Sequence, residues 1–192
     1  MVAVLGASST AVASVSLEGG GSLVNLSGVR MYGAQGTVST HTNHLTTHFI
    51  RVAYEFSTNW RVGVSHSRFG GLRFNAESPT PDIFLEHPGD PIAQVVTPFS
   101  GTESITEVAV DVCYSWPFAS PWTLDLGPTL GTFHSKAQIA GRRFSGTEVK
   151  VGVGAALRYQ IEERWSLLLG YRRSAPTDRS LNQLLATVAV RF

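Results

Sequence analysis

Charged side chains are scarce in this sequence of 192 residues, and no long apolar run takes their place. Asp, Glu, Lys and Arg make up 15% of the chain, below the roughly 25% typical of soluble proteins. The net charge is +1, so no basic excess points to nucleic acid. No run of 18 apolar residues exists either, which excludes a transmembrane helix. A membrane β-barrel explains both absences, because its strands alternate lipid-facing apolar and inward polar residues.

Cysteine is almost absent too. Cys113 is the only one, so no internal disulfide can form. Because Cys113 lies in an alternating apolar run, we interpret it as a small buried side chain.

Period-two alternation runs from about residue 30 to the end and predicts β-strands separated by turns. In "HFIRVAYEF", for example, Ile50, Val52, Tyr54 and Phe56 share one face of the strand. Counting the weaker "RMYGAQGTVSTH", the pattern predicts eight strands. The fold class predicted is all-β, an eight-stranded antiparallel up-and-down transmembrane β-barrel spanning residues 29–192.

Three features favour a membrane barrel over a soluble one. The polar face is rich in glycine and small residues, with scattered charges of both signs, as suits a narrow filled interior. Short and long connections alternate, as in outer-membrane barrels. Tryptophan is confined to positions beside the short turns, which predicts a girdle at one membrane interface. The girdle residues are Trp60, Trp116, Trp122 and Trp165.

The N-terminus is interpreted as an export-signal remnant or a flexible lead-in covering residues 1–28. It contains an Ala-Val-Ala before Ser14 that resembles a cleavage site, but it has no Lys or Arg of a signal-peptide n-region. The glycines that follow predict flexibility.

Over roughly residues 30–192, the chain resembles the small outer-membrane β-barrel family of the OmpA/OmpX type. The resemblance is carried by "VGVGAALRYQIEERWSLLLGYRR", the loop "SAPTDRSLN" and "QLLATVAVRF", and "VAYEFSTNWRVGVSHSRFG" resembles a hairpin of the same family. It implies a bacterial outer-membrane location with both termini periplasmic. It also implies that the terminal aromatic strand, through Val188, Val190 and Phe192, is the signal read by the barrel-assembly machinery. The implied surroundings are a lipid bilayer and lipopolysaccharide.

The predicted inward face carries acids and bases together. An eight-stranded barrel leaves an interior just wide enough for side chains, and buried charges are tolerated only when they are paired. We therefore interpret the set as a structural plug, with a gated ion path as the alternative. The lumen charge network predicted is Arg51, Glu55, Arg61, Asp111, Asp125, Lys150, Arg158 and Arg172, with Glu107 and Arg191 on the same face.

Histidines offer two weaker hypotheses. His41, His44 and His48 lie close together, but no Cys or acid is near them, so we interpret them as surface residues and predict no metal site. His66 and His134 share the lipid-facing parity of their strands, near Ser104 and Thr106, as a lipid A-modifying enzyme would require. No acid of matching parity orients either ring, so no catalytic residue is predicted.

The segment 75–102 is the longest connection predicted. It holds five prolines, which block regular strand pairing, and it has acids but no Lys or Arg. Its apolar residues argue against plain disorder and favour a contact surface for another envelope or extracellular protein, with a protective lid as the alternative. The contact residues predicted are Asp82, Ile83, Phe84, Glu86 and Asp90.

The function predicted is therefore a non-enzymatic outer-membrane barrel acting as a structural, adhesion or accessory subunit through loop 75–102. A narrow ion or small-solute pore is the alternative, and a lipid A-modifying enzyme is a distant third. No cofactor and no nucleic-acid partner are predicted.

Overall fold

The structure, a computed structural model, describes residues 13–31, 37–39, 45–79, 96–139, 142–175 and 179–192. These residues form nine β-strands and two-to-four-residue turns. The strands are β1 Ser14–Met31, β2 Thr37–Ser39, β3 Leu45–Ser57, β4 Trp60–Pro79, β5 Val96–Ala119, β6 Trp122–Ile139, β7 Arg142–Gln160, β8 Trp165–Ala175 and β9 Arg179–Arg191. Among the described residues, no helix is long and apolar enough to cross a membrane.

All strands are antiparallel to their neighbours in one sheet, and β1 pairs with β9 to close it. The short β2 lies in line with β3, because both pair with β1 on one side and β4 on the other. The wall therefore has eight strand positions. The prediction of a closed eight-stranded antiparallel barrel is confirmed.

The first wall strand differs from the one expected. Residues 14–28, assigned from the sequence to a lead-in, form most of β1, which pairs with β9 from Ser16↔Arg191 to Gly28↔Arg179. Within the expected first strand, 30–41, the described residues belong to the end of β1 and to the short β2. Gly19, Gly20 and Gly21 suggested flexibility, yet a glycine can stay in a strand where a neighbouring backbone comes close. A Cβ on Gly20 would lie 2.1 Å from the Ala186 carbonyl oxygen.

The connections are also shorter than the sequence suggested. β4 continues to Pro79 and β5 begins at Val96, so strand pairing takes up both ends of segment 75–102. Likewise β8 extends to Ala175 and β9 begins at Arg179, so these strands take up most of the loop "SAPTDRSLN" at 174–182. Cross-strand hydrogen bonding overrides turn propensity here, since a partner strand is already in register.

At the end of the barrel opposite these connections, the turns are tight, and the two ends of the described chain are hydrogen-bonded to each other. The Phe192 amide donates to the Val15 carbonyl at 2.8 Å, and the Arg191 amide donates to the Arg164 carbonyl at 2.8 Å. The edge that a terminal strand would otherwise expose is therefore paired up to the last residue.

Candidate functional site

Two surfaces of the barrel hold the residues predicted to carry function: the inner face and the outer wall. Side chains alternate between them along every strand, so polar residues fill the interior and apolar ones cover the outside. In β5, for instance, Val108, Val110 and Val112 are exposed outward whereas Glu107 and Asp111 are buried inward.

Four arginines anchor the half of the interior nearer the tryptophans. Arg51 binds Asp111 with two nitrogens, at 3.0 and 2.5 Å, and binds Glu18 Oε1 at 2.7 Å. Arg61 binds the same Glu18 oxygen at 2.5 Å and Asp125 Oδ2 at 2.8 Å.

Arg158 and Arg191 continue these contacts toward the chain ends. Arg158 binds Glu55 Oε1 at 2.7 Å and Asp125 Oδ1 at 2.9 Å, and Arg191 reaches Glu55 Oε2 at 3.1 Å. Every carboxylate here meets at least one guanidinium, which offsets the large cost of removing charges from water. We call this set the lower network: Glu18, Arg51, Glu55, Arg61, Asp111, Asp125, Arg158 and Arg191.

A second polar cluster lies farther from the tryptophans. Arg172 binds Glu107 and also Gln183 Oε1 at 2.5 Å. Gln183 in turn donates to Ser22 Oγ at 2.8 Å, and Ser22 shares a hydrogen bond with Thr47. This chain of contacts joins five strands across the interior.

An apolar layer closes the interior above these clusters. It consists of five buried inward-facing side chains: Val24, Phe69, Ile105, Phe133 and Leu181. The rings of Phe69 and Phe133 lie 6.4 Å apart, and the Lys150 Nζ sits 5.2 Å from the Phe133 ring centroid. Lys150 also pairs with Glu148 at 3.2 Å.

Between the lower network and the second cluster lies a cavity of about 90 Å³. Glu18, Arg51, Asp111, Asp125 and Arg172 border it. A cavity of this size has room for a few water molecules, which can bond Arg61 Nε and Arg172 Nε, two buried atoms on its border without a hydrogen-bond partner among the described residues.

The structure brings all eight predicted lumen charges to the inner face. Seven of them join the two polar clusters, and Lys150 lies apart beside the apolar layer. Sequence reasoning missed Glu18, which bridges Arg51 and Arg61, and it missed Gln183. Glu18 shares the inward parity of Ser16 and Ser22, and that parity is the signal that could have identified it.

The outer wall has an apolar band that starts at the tryptophans. All four tryptophans are exposed beside the tight turns. The Trp60 ring packs edge-on against the Tyr114 ring, with 5.3 Å between the ring centroids. The ring centroids of Trp122 and Tyr159 are 4.7 Å apart. Phe192 lies at the same end and is 78% exposed. In the terminal strand, Val188 is exposed outward and Val190 is half-buried.

The histidines show no catalytic geometry among the described residues. His66 and His134 both face outward, opposite Val108 and Thr106, and His134 Nδ1 lies 3.1 Å from Thr147 Oγ1. No group of three metal-ligating side chains exists in the described part of the chain. His48 is exposed, whereas His41 and His44 lie outside the described residues, as do Asp82, Ile83, Phe84, Glu86 and Asp90.

This closed wall with an apolar outside and a paired-charge inside is matched by a family model. The model described as "Outer membrane protein beta-barrel domain" covers residues 1–192. The chain belongs to the outer membrane protein β-barrel family. The family supports a location in the bacterial outer membrane.

Solved barrels of similar shape agree with this assignment. Neisserial surface protein A superposes with a TM-score of 0.63 at 16% identity, covering 94% of this chain and 99% of that one. The attachment invasion locus protein Ail of Yersinia pestis, in complex with the heparin analogue sucrose octasulfate, gives 0.58 at 16% identity over 94% and 99%. OprG from Pseudomonas aeruginosa gives 0.58 at 10% identity over 93% and 95%. No curated protein sequence matches the chain.

Proposed function

We propose that this protein is a non-enzymatic outer-membrane barrel that displays the segment between β4 and β5 as a contact surface. It acts as an adhesion, structural or accessory subunit of the envelope. The observation that supports this proposal is the unequal height of the strands. β5 pairs with β6 only as far as Gly101↔Ile139, but the β4–β5 ribbon continues to Pro79↔Val96.

That ribbon is much longer than a membrane crossing needs. A transmembrane strand takes roughly 9–11 residues, whereas β4 has 20 and β5 has 24. Both strands leave the tryptophan end together, so the excess projects on the opposite side. It carries the acidic, proline-rich residues 80–95, which include the predicted contact residues Asp82, Ile83, Phe84, Glu86 and Asp90.

We place the tryptophan end and both chain ends in the periplasm. The tight turns lie at that end, and short turns face the periplasm in outer-membrane barrels. In this orientation the ribbon faces outside the cell. The terminal strand, through Val188, Val190 and Phe192, then presents the signal for the barrel-assembly machinery.

The names of two similar barrels describe surface roles. One is a surface protein and the other an attachment protein bound to a heparin analogue. Their identity to this chain is low, so they support the fold, and the surface role proposed here depends on the ribbon.

Shortening the segment tests the proposal. Residues 80–95 are replaced by a four-residue Gly/Ser turn, and the matched control keeps the length with Asp82→Asn, Glu86→Gln and Asp90→Asn. The barrel is purified from native outer membranes in mild detergent. We expect a stoichiometric partner that is lost on shortening, and loss in the control as well would assign the contact to the acids. A barrel purified alone in every case would exclude the subunit role and leave the segment as a lid.

The internal cavity favours a narrow pore as the second candidate. Passage through it would have to displace the apolar layer, whose Phe69 and Phe133 are nearly fully buried. We therefore expect no steady conductance from the barrel in planar bilayers. Conductance that disappears in Arg158→Ala would instead establish the pore.

A further inference from the structure

Where the structure describes side chains on the outer wall, the cations lie at one end. Among the strand residues whose side chains the structure describes, every outward-facing lysine or arginine occurs on the side away from the tryptophans, and no acidic side chain faces outward. The exposed acids of the described part, Glu162 and Glu163, lie in a turn at the tryptophan end. We call these cations the outer cationic rim: Arg68, Lys136, Arg143 and Arg173.

The rim begins where the apolar band ends. Outward positions in β4 run from Trp60 through Val64 to Arg68, and those in β6 run from Trp122 through Leu130 to Lys136. With about 3.3 Å per residue and a tilt of about 40°, Arg68 lies roughly 20 Å above Trp60, and Lys136 lies roughly 35 Å above Trp122. The two starting points differ, because Trp122 lies four residues below Leu126, the β6 residue in register with Trp60 through Tyr114. The far edge of an apolar band about 25 Å tall falls between Arg68 and Lys136. The rim is therefore at the level of lipid headgroups.

Arg68, His134 and Lys136 form the densest part of the rim. Arg68 is opposite Thr106, Thr106 is opposite His134, and Lys136 follows two residues later on the same face. From strand spacing, the Cα atoms of Arg68 and Lys136 are roughly 12 Å apart. Both side chains are long and exposed, so they can reach one anionic group together or two neighbouring ones. None of the rim cations forms an ion pair with another residue in the described part of the chain.

We propose that the outer cationic rim binds the phosphate groups of the phosphorylated glycolipid of the outer leaflet. Arginine and lysine are the side chains suited to phosphate, and no outward-facing acid among the described side chains opposes their charge. The inference depends on the orientation proposed above, because it requires the rim to face the outer leaflet. It does not depend on the β4–β5 segment having a partner.

The position of the rim distinguishes a lipid from a soluble anion. These side chains extend sideways from the wall directly above the apolar band, and they do not line the barrel mouth. A ligand that reaches them while also covering Val64 and Leu130, four and six residues farther down the same strands, must have apolar chains in the membrane as well as phosphate at its surface.

Native mass spectrometry of the refolded full-length barrel tests the inference. Diphosphorylated lipid A and its dephosphorylated form are titrated against the wild type, Arg68→Gln/Lys136→Gln and Arg164→Gln. Arg164 is an exposed arginine in the turn at the tryptophan end, so its substitution removes a charge that would face the other leaflet. Heat-dependent mobility in SDS gels verifies that each variant is folded.

We expect the double variant to bind diphosphorylated lipid A at least tenfold more weakly, and Arg164→Gln to bind it as the wild type does. Equal affinity of the double variant, or an equal loss in Arg164→Gln, would overturn the proposal. A further comparison needs no variant. If the wild type binds the dephosphorylated lipid as tightly as diphosphorylated lipid A, the proposal is also overturned. Binding of sucrose octasulfate as tight as that of lipid A would assign the rim to soluble polyanions instead.

Discussion

Arg61 of β4 donates to Glu18 of β1 at 2.5 Å across the barrel, with both side chains nearly fully buried. The same Glu18 oxygen accepts a hydrogen bond from Arg51 at 2.7 Å. One carboxylate thus holds two guanidinium groups from neighbouring strands. Each of those arginines is also fixed by an aspartate on the far wall, Arg51 by Asp111 and Arg61 by Asp125.

Removal of Glu18 should therefore be costly. Glu18→Ala leaves two buried guanidinium groups short of an acceptor, and breaking a buried pair from one side typically costs about 3–5 kcal/mol. We expect a fall of that size in the free energy of unfolding, measured by urea titration of the refolded barrel with tryptophan fluorescence. Glu163→Gln, in an exposed turn, serves as the control and should stay within about 0.5 kcal/mol. A Glu18→Ala barrel as stable as the control would refute the bridging role.

Two inward-facing glycines offer a matched pair that tests how tightly the network fills the interior. A Cβ on Gly63 would lie 2.3 Å from Arg51 Nε, whereas a Cβ on Gly154 would find its nearest atom at 3.8 Å. Because Arg51 is held by Asp111 and Glu18, it has little freedom to move aside. We expect Gly63→Ala to lower the free energy of unfolding by about 1–3 kcal/mol and Gly154→Ala to change it little. Equal effects in the same urea titration would show that the arginine moves freely.

Substitution of Phe192 allows effects on assembly in cells to be distinguished from effects on folding stability. Its side chain is 78% exposed, while its backbone amide pairs with Val15 regardless of side chain. We expect Phe192→Ala to refold in vitro with nearly unchanged stability but to reach the outer membrane of cells at a several-fold lower level. Ile161→Ala, another exposed apolar residue at the same end, should reach wild-type levels. Equal membrane levels of both variants would argue against an assembly signal at Phe192.

Sidedness can be read from intact cells. An epitope placed within residues 80–95 should bind antibody without permeabilisation, because the β4–β5 ribbon projects away from the tryptophan end. The same epitope inserted between Glu162 and Glu163 should bind only after the outer membrane is opened. The reverse pattern would place the chain ends outside and would also reverse the leaflet that the outer cationic rim faces.

The sequence by itself determined the barrel, its alternating faces and the membrane it suits. Alternation places Arg51, Asp111 and Arg158 on one face of their strands whatever their partners are, because the side-chain period of a strand is two. Tryptophan placement beside short turns likewise follows from the linear sequence. The same alternation places the apolar residues on the other face, where they suit contact with a lipid bilayer.

Tertiary structure decided which residues meet and where the strands end. Local signals assigned Glu18 to a flexible segment because three glycines follow it, and only pairing of β1 with both β3 and β9 brings its carboxylate to Arg51 and Arg61. Pairing likewise extended β4 to Pro79 through residues that suggested a loop. The contacts between Arg61 and Asp125, or Arg172 and Glu107, join residues more than sixty positions apart. Register around a closed sheet fixes such contacts, and no local pattern in the chain contains that register.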